Sequence, residues 1–413
     1  MRKWLAVMLA ALLMLSLTAC GGCSGDPEPG ASSAPEISAP NSVGVSDVSD
    51  PTSDSSNPTA TTTGGTKTTS SAPSNGKTTR SKVSITTTTT TTSETTTTTR
   101  KVSPPKDGLG FTVDGVKNIL CWGDSITAGM GMATKDAYPS VLQTKLGDGY
   151  KVWNGGNSGD GSYAIMARQG ALSVTTKEDI TFDAGVSEVK IGHNKQTYNL
   201  MLSNGKELTK LNIQENIAST NTSKLRMNPL TIMGKSFNFK YHYEGEVSEG
   251  YNILLTRVDN TSALTIPAGT AVTLSNANKS DTSYCEIIHM GANDSISSEA
   301  NSALVSRYQA MIDRMPHDCW LVIVPYWCAG RYDSAFKEAF GDRAINVIEE
   351  ISKRGLSELG LEMTDEDLNM LKKKRMPVSL QYHTRDGCHL NKYGYQMLAT
   401  LVYERGKQLK YWN

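Results

Sequence analysis

Three short apolar segments of this chain each end in glycine and polar residues, and this pattern restricts the fold more than any other feature. The segment 118–122 runs into Gly123-Asp124-Ser125, and two later apolar segments run into the blocks 154–160 and 291–294. A buried strand that stops at glycine delivers the next side chains to the carboxyl edge of a sheet, where open α/β folds place their functional groups. The sequence therefore predicts an α/β fold with a functional site at that edge.

Ser125 is the candidate nucleophile of this site. A serine at the end of a strand is more often a turn or helix N-cap residue, so the assignment requires partners elsewhere in the chain. Asp386 and His389 lie three positions apart near the C-terminus. An imidazole that accepts the serine proton and a carboxylate that fixes the imidazole tautomer are the partners that a nucleophilic serine needs. The three residues form a candidate catalytic triad.

The two remaining blocks offer hydrogen-bond donors for a negatively charged oxygen. The block 154–160 is rich in glycine, and the block 291–294 contains Asn293. A glycine N–H and an asparagine amide that point at one position are suited to bind the oxyanion of an acyl transfer. These blocks are therefore candidates for an oxyanion hole.

The four blocks, taken in this order, resemble the SGNH branch of the GDSL hydrolases, a family of serine esterases and lipases. The resemblance covers roughly residues 117–160 and 284–405 and leaves out the segment between them. It implies an α/β fold with a three-layer, flavodoxin-like parallel sheet. The chain contains no Gly-x-Ser-x-Gly sequence, which argues against the nucleophile elbow of the α/β-hydrolase fold.

The resemblance also assigns roles to individual residues. It implies that Ser125 is the nucleophile, that His389 is the general base and that Asp386 is the acid that orients it. It further implies that the N–H groups of Ser125 and Gly159 and the side-chain amide of Asn293 bind the oxyanion. The expected reaction is hydrolysis of an ester through an acyl-enzyme.

The N-terminus predicts an exported lipoprotein. A basic start, Met1-Arg2-Lys3, precedes an apolar run from 4 to 17, and Leu17-Thr18-Ala19-Cys20 follows. An apolar run shorter than a membrane span, with small residues at its end, is typical of a secretory signal. The final four residues resemble a bacterial lipobox, which makes 1–19 the signal peptide and Cys20 the lipidated residue. The alternative is an ordinary signal peptide in which Cys20 has no such role.

Residues 20–105 are predicted to be a disordered linker behind the lipidated N-terminus. From 24 onward this segment is dominated by Ser, Thr, Pro, Gly and Asn and contains no aromatic residue. Such a composition cannot bury enough surface to offset the entropy lost on ordering. A flexible coil of this length has an end-to-end distance of about 50 Å. We therefore expect the linker to carry the domain through a cell wall, at the outer face of a bacterial cell membrane.

Residues 106–413 are predicted to form the hydrolase domain, with a β-rich insertion at about 173–281. Asn204-Gly205 is a hairpin signal, and four aromatic residues between 237 and 243 alternate with polar ones. These aromatics form either the core of the insertion, which we favour, or a face that stacks on sugars. Because the insertion leaves after Gly159 and returns before Asn293, we expect it to overhang the cleft and to select substrates without taking part in bond cleavage.

Several further elements are predicted from periodicity. One helix is expected over 334–353, and the fifth strand of the sheet is expected near 377–380. Arg168 and Gln169 are expected on a solvated helix face, with contact to the substrate as the alternative. His289 is expected to be a packed core histidine because the alternation of its strand directs it away from the loop.

Charge and metal-binding patterns exclude several function classes. The chain has 41 basic and 41 acidic residues, interspersed along its length, so nucleic acid is not an expected partner. Its six histidines form no His-Glu-x-x-His pattern, so no metal or other cofactor is expected. Cysteines within apolar runs are predicted to be buried free thiols. The sequence does not decide whether Cys319 and Cys328 form a disulfide bridge.

The sequence favours an extracellular serine esterase that removes O-acetyl groups from polysaccharides, because the linker would present the domain outside the cell. Trp122, Tyr326 and Trp327 are the candidate substrate-lining residues. A lysophospholipase or lipase is one alternative, which a long apolar groove near Trp122 or Trp327 would favour. A non-catalytic, carbohydrate-binding surface lipoprotein is the other. The oligomeric state is left open.

Overall fold

The computed structural model describes residues 102–103, 109–194, 197–218, 221–246, 249–295, 299–383 and 386–413. The predicted signal peptide at 1–19 and the predicted lipidation site Cys20 lie outside the described residues. So does the predicted disordered linker at 20–105, except for 102–103, where the prediction is wrong because these residues form a strand. All described residues belong to one compact unit.

The strands of the described residues fall into three groups along the chain. Four precede the insertion: β1 (Val102–Ser103), β2 (Thr112–Val113), β3 (Val116–Gly123) and β4 (Tyr150–Gly156). Ten lie within it: β5 (Val174–Thr176), β6 (Ile180–Phe182), β7 (Glu188–His193), β8 (Thr197–Tyr198), β9 (Leu200–Leu202), β10 (Leu230–Ile232), β11 (Lys235–His242), β12 (Asn252–Arg257), β13 (Leu264–Ile266) and β14 (Ala271–Thr273). Three follow it: β15 (Cys285–His289), β16 (Trp320–Ile323) and β17 (Ala344–Ile345).

The α-helices of the described residues lie mainly before and after the insertion. They are α1 (Ser125–Ala128), α2 (Tyr138–Leu146), α3 (Ser162–Gln169), α4 (Ile213–Ala218), α5 (Asn301–Arg314), α6 (Asp333–Phe340), α7 (Val347–Arg354), α8 (Asp365–Lys372) and α9 (Lys392–Gln408). Only α4 belongs to the insertion.

A parallel sheet of five strands forms the centre of the fold. Its order is β4-β3-β15-β16-β17, and each neighbouring pair is parallel. β2 pairs antiparallel with β3, and β1 pairs antiparallel with β2. In the register of these strands, Gly123 lies beside Gly156 on one side and beside His289 on the other. The three polar blocks therefore meet at one edge of the sheet, as the sequence predicted.

The central strands are buried because apolar side chains cover both of their faces. The last five residues of β3 are all buried, which is the pattern expected for a parallel strand between two layers. Cys121, Cys285 and Cys319 lie in this core as free thiols. Burial raises the pKa of the Cys121 thiol to about 12, so this cysteine acts as a small apolar residue. Since Cys319 is a free thiol, it forms no bridge with Cys328.

The insertion is β-rich, as predicted, and it has a hydrophobic core of its own. Eight of its strands form an antiparallel sheet in the order β8-β7-β12-β11-β10-β14-β5-β9, and β6 pairs with β13. Phe237 and Phe239 are buried in its core, while Tyr241 and Tyr243 are partly buried against it. These positions agree with the core interpretation of the aromatic pattern.

The predictions for the C-terminal part of the sheet are wrong in two places. The expected helix over 334–353 is interrupted, because α6 ends at Gly341 in a positive-φ conformation and the chain then forms β17. β17 pairs with β16 and supplies the fifth parallel strand. The segment near 377–380 forms a 3-10 turn, Val378–Leu380, instead. Pro377 has no N–H to donate to a sheet, which makes a strand there unfavourable.

The close approach of α1 to β4 generates a testable prediction. A Cβ on Gly156 would lie 2.0 Å from the backbone N of Ala128, whereas a Cβ on Gly149 would meet nothing within 4 Å. Gly156→Ala must therefore displace backbone, and we expect it to lower the free energy of unfolding by at least about 2 kcal/mol. Urea denaturation monitored by circular dichroism measures the change. Gly149→Ala is the matched control, and equal losses in the two variants would contradict the prediction.

Candidate active site

Ser125 lies at the point where β3 turns into α1. A Cβ on Gly123 would lie 2.1 Å from the Thr127 hydroxyl and 2.5 Å from the backbone O of His289, so only glycine fits at the end of this strand. The Asp124 carboxylate then caps the helix by accepting a hydrogen bond from the N–H of Ile126 at 3.1 Å. This local geometry places Ser125 as the first residue of α1.

Ser125, His389 and Asp386 form one continuous chain of hydrogen bonds. The hydroxyl of Ser125 lies 2.8 Å from Nε2 of His389, and Nδ1 of His389 lies 2.7 Å from Oδ2 of Asp386. Because an ionised carboxylate can only accept, Nδ1 carries the imidazole proton and Nε2 accepts from the serine. Ser125 and His389 are each 3% exposed. The structure thus brings together three residues that are far apart in the sequence.

The Asp386 carboxylate is held in its ionised form. Its Oδ1 accepts hydrogen bonds from the backbone N–H groups of Cys388 and His389 at 2.9 and 2.8 Å. Burial raises the pKa of Asp386, but the hydrogen bonds and the charge of His389 outweigh burial and lower the pKa to about 2. The carboxylate therefore stays charged through the whole range in which a histidine base titrates.

The three hydrogen-bond donors expected in the oxyanion hole lie on the segments that follow β3, β4 and β15. Within the described part of the chain, the backbone N–H groups of Ser125 and Gly159 make no hydrogen bond. The Asn293 amide donates one hydrogen bond to the backbone O of Asp160 at 2.9 Å, which leaves its second N–H for another acceptor. Gly159 has a φ of 82°, which side-chain-bearing residues rarely adopt. A carbonyl oxygen attacked by Ser125 would find donors of the required type here.

Arg168 is a structural residue of the site that the sequence did not identify. Arg168 and Gln169 were predicted on a solvated helix face, with contact to the substrate as the alternative. Both predictions are wrong because the two side chains are fully buried. The Arg168 guanidinium donates to Oδ2 of Asp160 at 2.6 Å, to the backbone O of Gly155 at 2.6 Å and to that of Gly123 at 2.9 Å. It thereby joins the ends of β3 and β4 to the loop that follows β4.

Trp122 does not line a cleft, so its predicted contact with the substrate is wrong. Its side chain is fully buried, and its indole N–H donates to Oε2 of Glu286 at 2.8 Å. Gln169 donates to the same carboxylate oxygen at 3.1 Å, and Ser283 donates to Oε1 at 2.9 Å. Trp122 therefore helps to hold β3 against β15.

Tyr326 and Trp327 lie close to the site but are largely buried. The Tyr326 hydroxyl donates to the backbone O of Cys388, next to His389, at 2.8 Å. Trp327 is 8% exposed, and its ring lies 3.9 Å from the position of a Cβ on Gly291. Both rings pack against His289, which is fully buried as predicted, and burial lowers its pKa to about 3. Of the three candidate lining residues, Trp327 is the most exposed.

The described residues contain neither a candidate metal site nor a candidate membrane-spanning helix. Among these residues, no group of three His, Cys, Asp or Glu side chains could hold a metal ion. No helix in the same part of the chain is both long and apolar enough to cross a membrane.

Comparisons with known proteins give only distant likenesses. No family model matches the chain, and no curated protein matches it. The crystal structure of a carbohydrate acetylesterase family member from Sinorhizobium meliloti is 15% identical with a TM-score of 0.28, over 71% of this chain and 99% of that one. Another solved structure is 13% identical with a TM-score of 0.28, over 71% of this chain and 98% of its own. Likeness at this level does not assign a function.

The buried carboxyl group of Asp124 gives a prediction about pH and stability. Burial raises its pKa from 3.8 to about 6. Between these values the unfolded chain releases the proton and the folded chain retains it, so stability falls as the pH rises from about 4 to 6. Asp124→Asn removes this dependence, and we expect the variant to gain up to roughly 3 kcal/mol relative to the parent protein over that range.

Chemical denaturation at several pH values between 4 and 7 measures this effect. The pKa of Asp160 is also raised by burial to about 6, but its contribution is common to both proteins and cancels in the difference. Asp148→Asn, at an exposed position, is the control and should show a constant difference. If the free energy of unfolding of Asp124→Asn differed from that of the parent protein by the same amount at every pH, the raised pKa of Asp124 would be contradicted.

Proposed function

We propose that this protein is a serine esterase of the SGNH type that removes O-acetyl groups from polysaccharides outside the cell. The observation that carries the proposal is the hydrogen-bonded chain from Asp386 through His389 to Ser125, and the N–H groups of Ser125 and Gly159, which have no acceptor among the described residues, support it. Serine, imidazole, carboxylate and oxyanion donors in this arrangement are sufficient for acyl transfer. The order of the parallel strands, 2-1-3-4-5 in chain order, supports the finer assignment because flavodoxin-like sheets have this order.

The geometry supports a mechanism with two half-reactions. His389 takes the proton of Ser125 as the hydroxyl oxygen attacks the ester carbonyl, and the N–H groups of Ser125, Gly159 and Asn293 stabilise the oxyanion. His389 then gives the proton to the departing alcohol, which leaves an acyl group on Ser125. Water, deprotonated by His389, attacks this acyl-enzyme in the same way and releases the acid. Asp386 keeps the imidazole oriented and stabilises its charged form.

The burial of the site favours a small acyl group. Ser125 and His389 are each only 3% exposed, and Trp122, one of the two residues expected beside a long apolar groove, is buried in the core. These positions support an acetyl group over the long acyl chain of a lysophospholipid. The complete hydrogen-bonded site also favours an enzyme over a non-catalytic, carbohydrate-binding lipoprotein.

The extracellular location in the proposal rests on the N-terminal sequence. We propose that residues 1–19 direct export, that Cys20 carries the lipid anchor and that the linker holds the domain at the outer face of the membrane. Metabolic labelling with a fatty acid analogue tests this, since Cys20→Ser should abolish the label and release the protein.

The first test of the enzymatic activity is removal of the nucleophile and the base. Ser125→Ala and His389→Ala should each lower kcat for an aryl acetate by about 10⁴- to 10⁶-fold, and Asp386→Asn should lower it less, because the nucleophile and base remain. Ser302→Ala, at an exposed position on α5, is the control. Circular dichroism checks that the variants fold. Near-normal turnover by folded Ser125→Ala would overturn the assignment.

The substrate class is tested with the same parent protein. Release of acetate from acetylated xylan is compared with cleavage of p-nitrophenyl esters of increasing chain length. Acetyl specificity requires activity on the polymer and a steep fall beyond the shortest esters. Faster cleavage of long-chain esters would favour the lipase alternative.

The oxyanion assignment makes a separate kinetic prediction for Asn293. Because its amide would contact the oxygen mainly when charge develops, Asn293→Ala should lower kcat by about 10²- to 10³-fold and leave KM nearly unchanged. Steady-state kinetics with the aryl acetate measure both constants. A change in KM alone would instead make Asn293 a substrate-binding residue.

A further inference from the structure

The insertion makes direct contact with the loop that carries Gly159. We call residues 156–160 the oxyanion loop. Asn212, just before α4, lies against this loop and is 6% exposed. Its backbone N–H donates to Oδ1 of Asp160 at 2.6 Å, and its backbone O accepts from the side chain of Asn157 at 2.6 Å. A residue of the insertion is therefore hydrogen-bonded to the loop that carries Gly159.

The side chain of Asn212 holds the peptide group that contains the Gly159 N–H. Nδ2 of Asn212 donates to the backbone O of Ser158 at 2.8 Å. The carbonyl of Ser158 and the N–H of Gly159 belong to one planar, trans peptide group, in which they point in opposite directions. A hydrogen bond that fixes this carbonyl toward the insertion therefore directs the Gly159 N–H to the other side of the loop.

A partly buried ion pair of the insertion holds the two preceding peptide groups of the oxyanion loop. Glu215, on α4, accepts a hydrogen bond from the N–H of Ser158 at 2.5 Å and pairs with Lys224 at 3.1 Å. Lys224 in turn donates to the backbone O of Gly156. Burial raises the pKa of Glu215, but Lys224 and the Ser158 N–H outweigh it and lower the pKa, so the carboxylate stays charged. The loop is thus fixed at consecutive peptide groups.

Helix α3 packs against both hydrophobic cores. Ala164 and Ala167 belong to the hydrophobic core of the insertion, while Ile165 and Met166 on the same helix belong to the core of the main sheet. The two cores therefore share α3, which follows the oxyanion loop directly. The insertion is thus packed against the hydrolase domain, and its selection of substrates without a part in bond cleavage stays a prediction.

We propose that Asn212 is a positioning residue for the oxyanion hole, acting through Ser158 to orient the Gly159 N–H. The inference rests on the proposed esterase function and extends it to a residue outside the four blocks. Misplacement of a reacting or stabilising group by about 1 Å can cost about 10²-fold in rate. Loss of the Asn212 amide donor should therefore reduce kcat by about 10- to 100-fold.

Two substitutions remove the amide N–H donor and keep the acceptor role of this side chain. Oδ1 of Asn212 also accepts from the N–H of Glu215 at 3.3 Å, as an N-cap of α4. Asp and Ser are both good N-cap residues, so Asn212→Asp and Asn212→Ser keep an acceptor for the Glu215 N–H. Both variants lose the amide donor. Asn212→Asp adds a charge, whereas Asn212→Ser does not. Asn216→Ala is the matched control, because buried Asn216 hydrogen-bonds Leu225 and Met227 but not the oxyanion loop.

The decisive measurement compares turnover with the binding of a transition-state analogue. An alkyl boronic acid adds to the serine hydroxyl and places an oxygen in the oxyanion hole. Both Asn212 variants should lower kcat for an aryl acetate and weaken boronate binding by similar factors, with KM nearly unchanged. Asn216→Ala should leave kcat and boronate affinity within about twofold, even if it lowers Tm.

The outcomes separate this inference from the proposed function. The proposed esterase function is supported if the parent protein hydrolyses the aryl acetate and Ser125→Ala does not. If, in that case, folded Asn212→Ser keeps full kcat and boronate affinity, the positioning role of Asn212 is wrong. A parent protein that is inactive on every ester would instead remove the proposed function. Equal losses of kcat in the Asn216→Ala control would show a general effect of the insertion, which also overturns the specific role of Asn212.

Discussion

The buried ion pair between Arg168 and Asp160 is the contact on which the arrangement of the site depends. Arg168 uses its remaining donors on the carbonyls of Gly123 and Gly155, at the ends of the two strands that lead to Ser125 and to the oxyanion loop. A guanidinium can hold several acceptors at once because its donors have a fixed planar geometry. Removing either partner of a buried pair leaves an uncompensated charge, which typically costs about 3–5 kcal/mol.

The Asp386 carboxylate is held by hydrogen bonds from its own loop, whereas two backbone N–H groups of the candidate site have no acceptor among the described residues. Asp386 accepts bonds from two backbone N–H groups as well as from His389, so the loop holds the carboxylate and the carboxylate holds the imidazole of His389. The N–H groups of Ser125 and Gly159, by contrast, have no acceptor among the described residues. Donors that are already oriented do not need to reorganise as charge develops, which is the basis of electrostatic stabilisation of a transition state.

The insertion adds support to this arrangement from outside the parallel sheet. Asn212, Glu215 and Lys224 contact three consecutive parts of the oxyanion loop. The sheet fixes where the loop begins, and the insertion fixes the direction of its peptide groups. Sequence between two of the polar blocks can thus contact a candidate site without supplying a reacting group.

The sequence by itself determined the central strands, the meeting of the three polar blocks at one sheet edge, the β-rich nature of the insertion and the candidate Ser125, His389 and Asp386. These features follow from apolar periodicity and from side-chain chemistry, and both signals can be read within a short stretch of sequence. It could not predict β17, because two residues are too short to show a period, nor the burial of Arg168, because its partners come from distant strand ends. The contacts of Asn212 with Ser158 and Asp160 were likewise decided only by tertiary structure, since hydrogen bonds across more than fifty positions leave no local pattern.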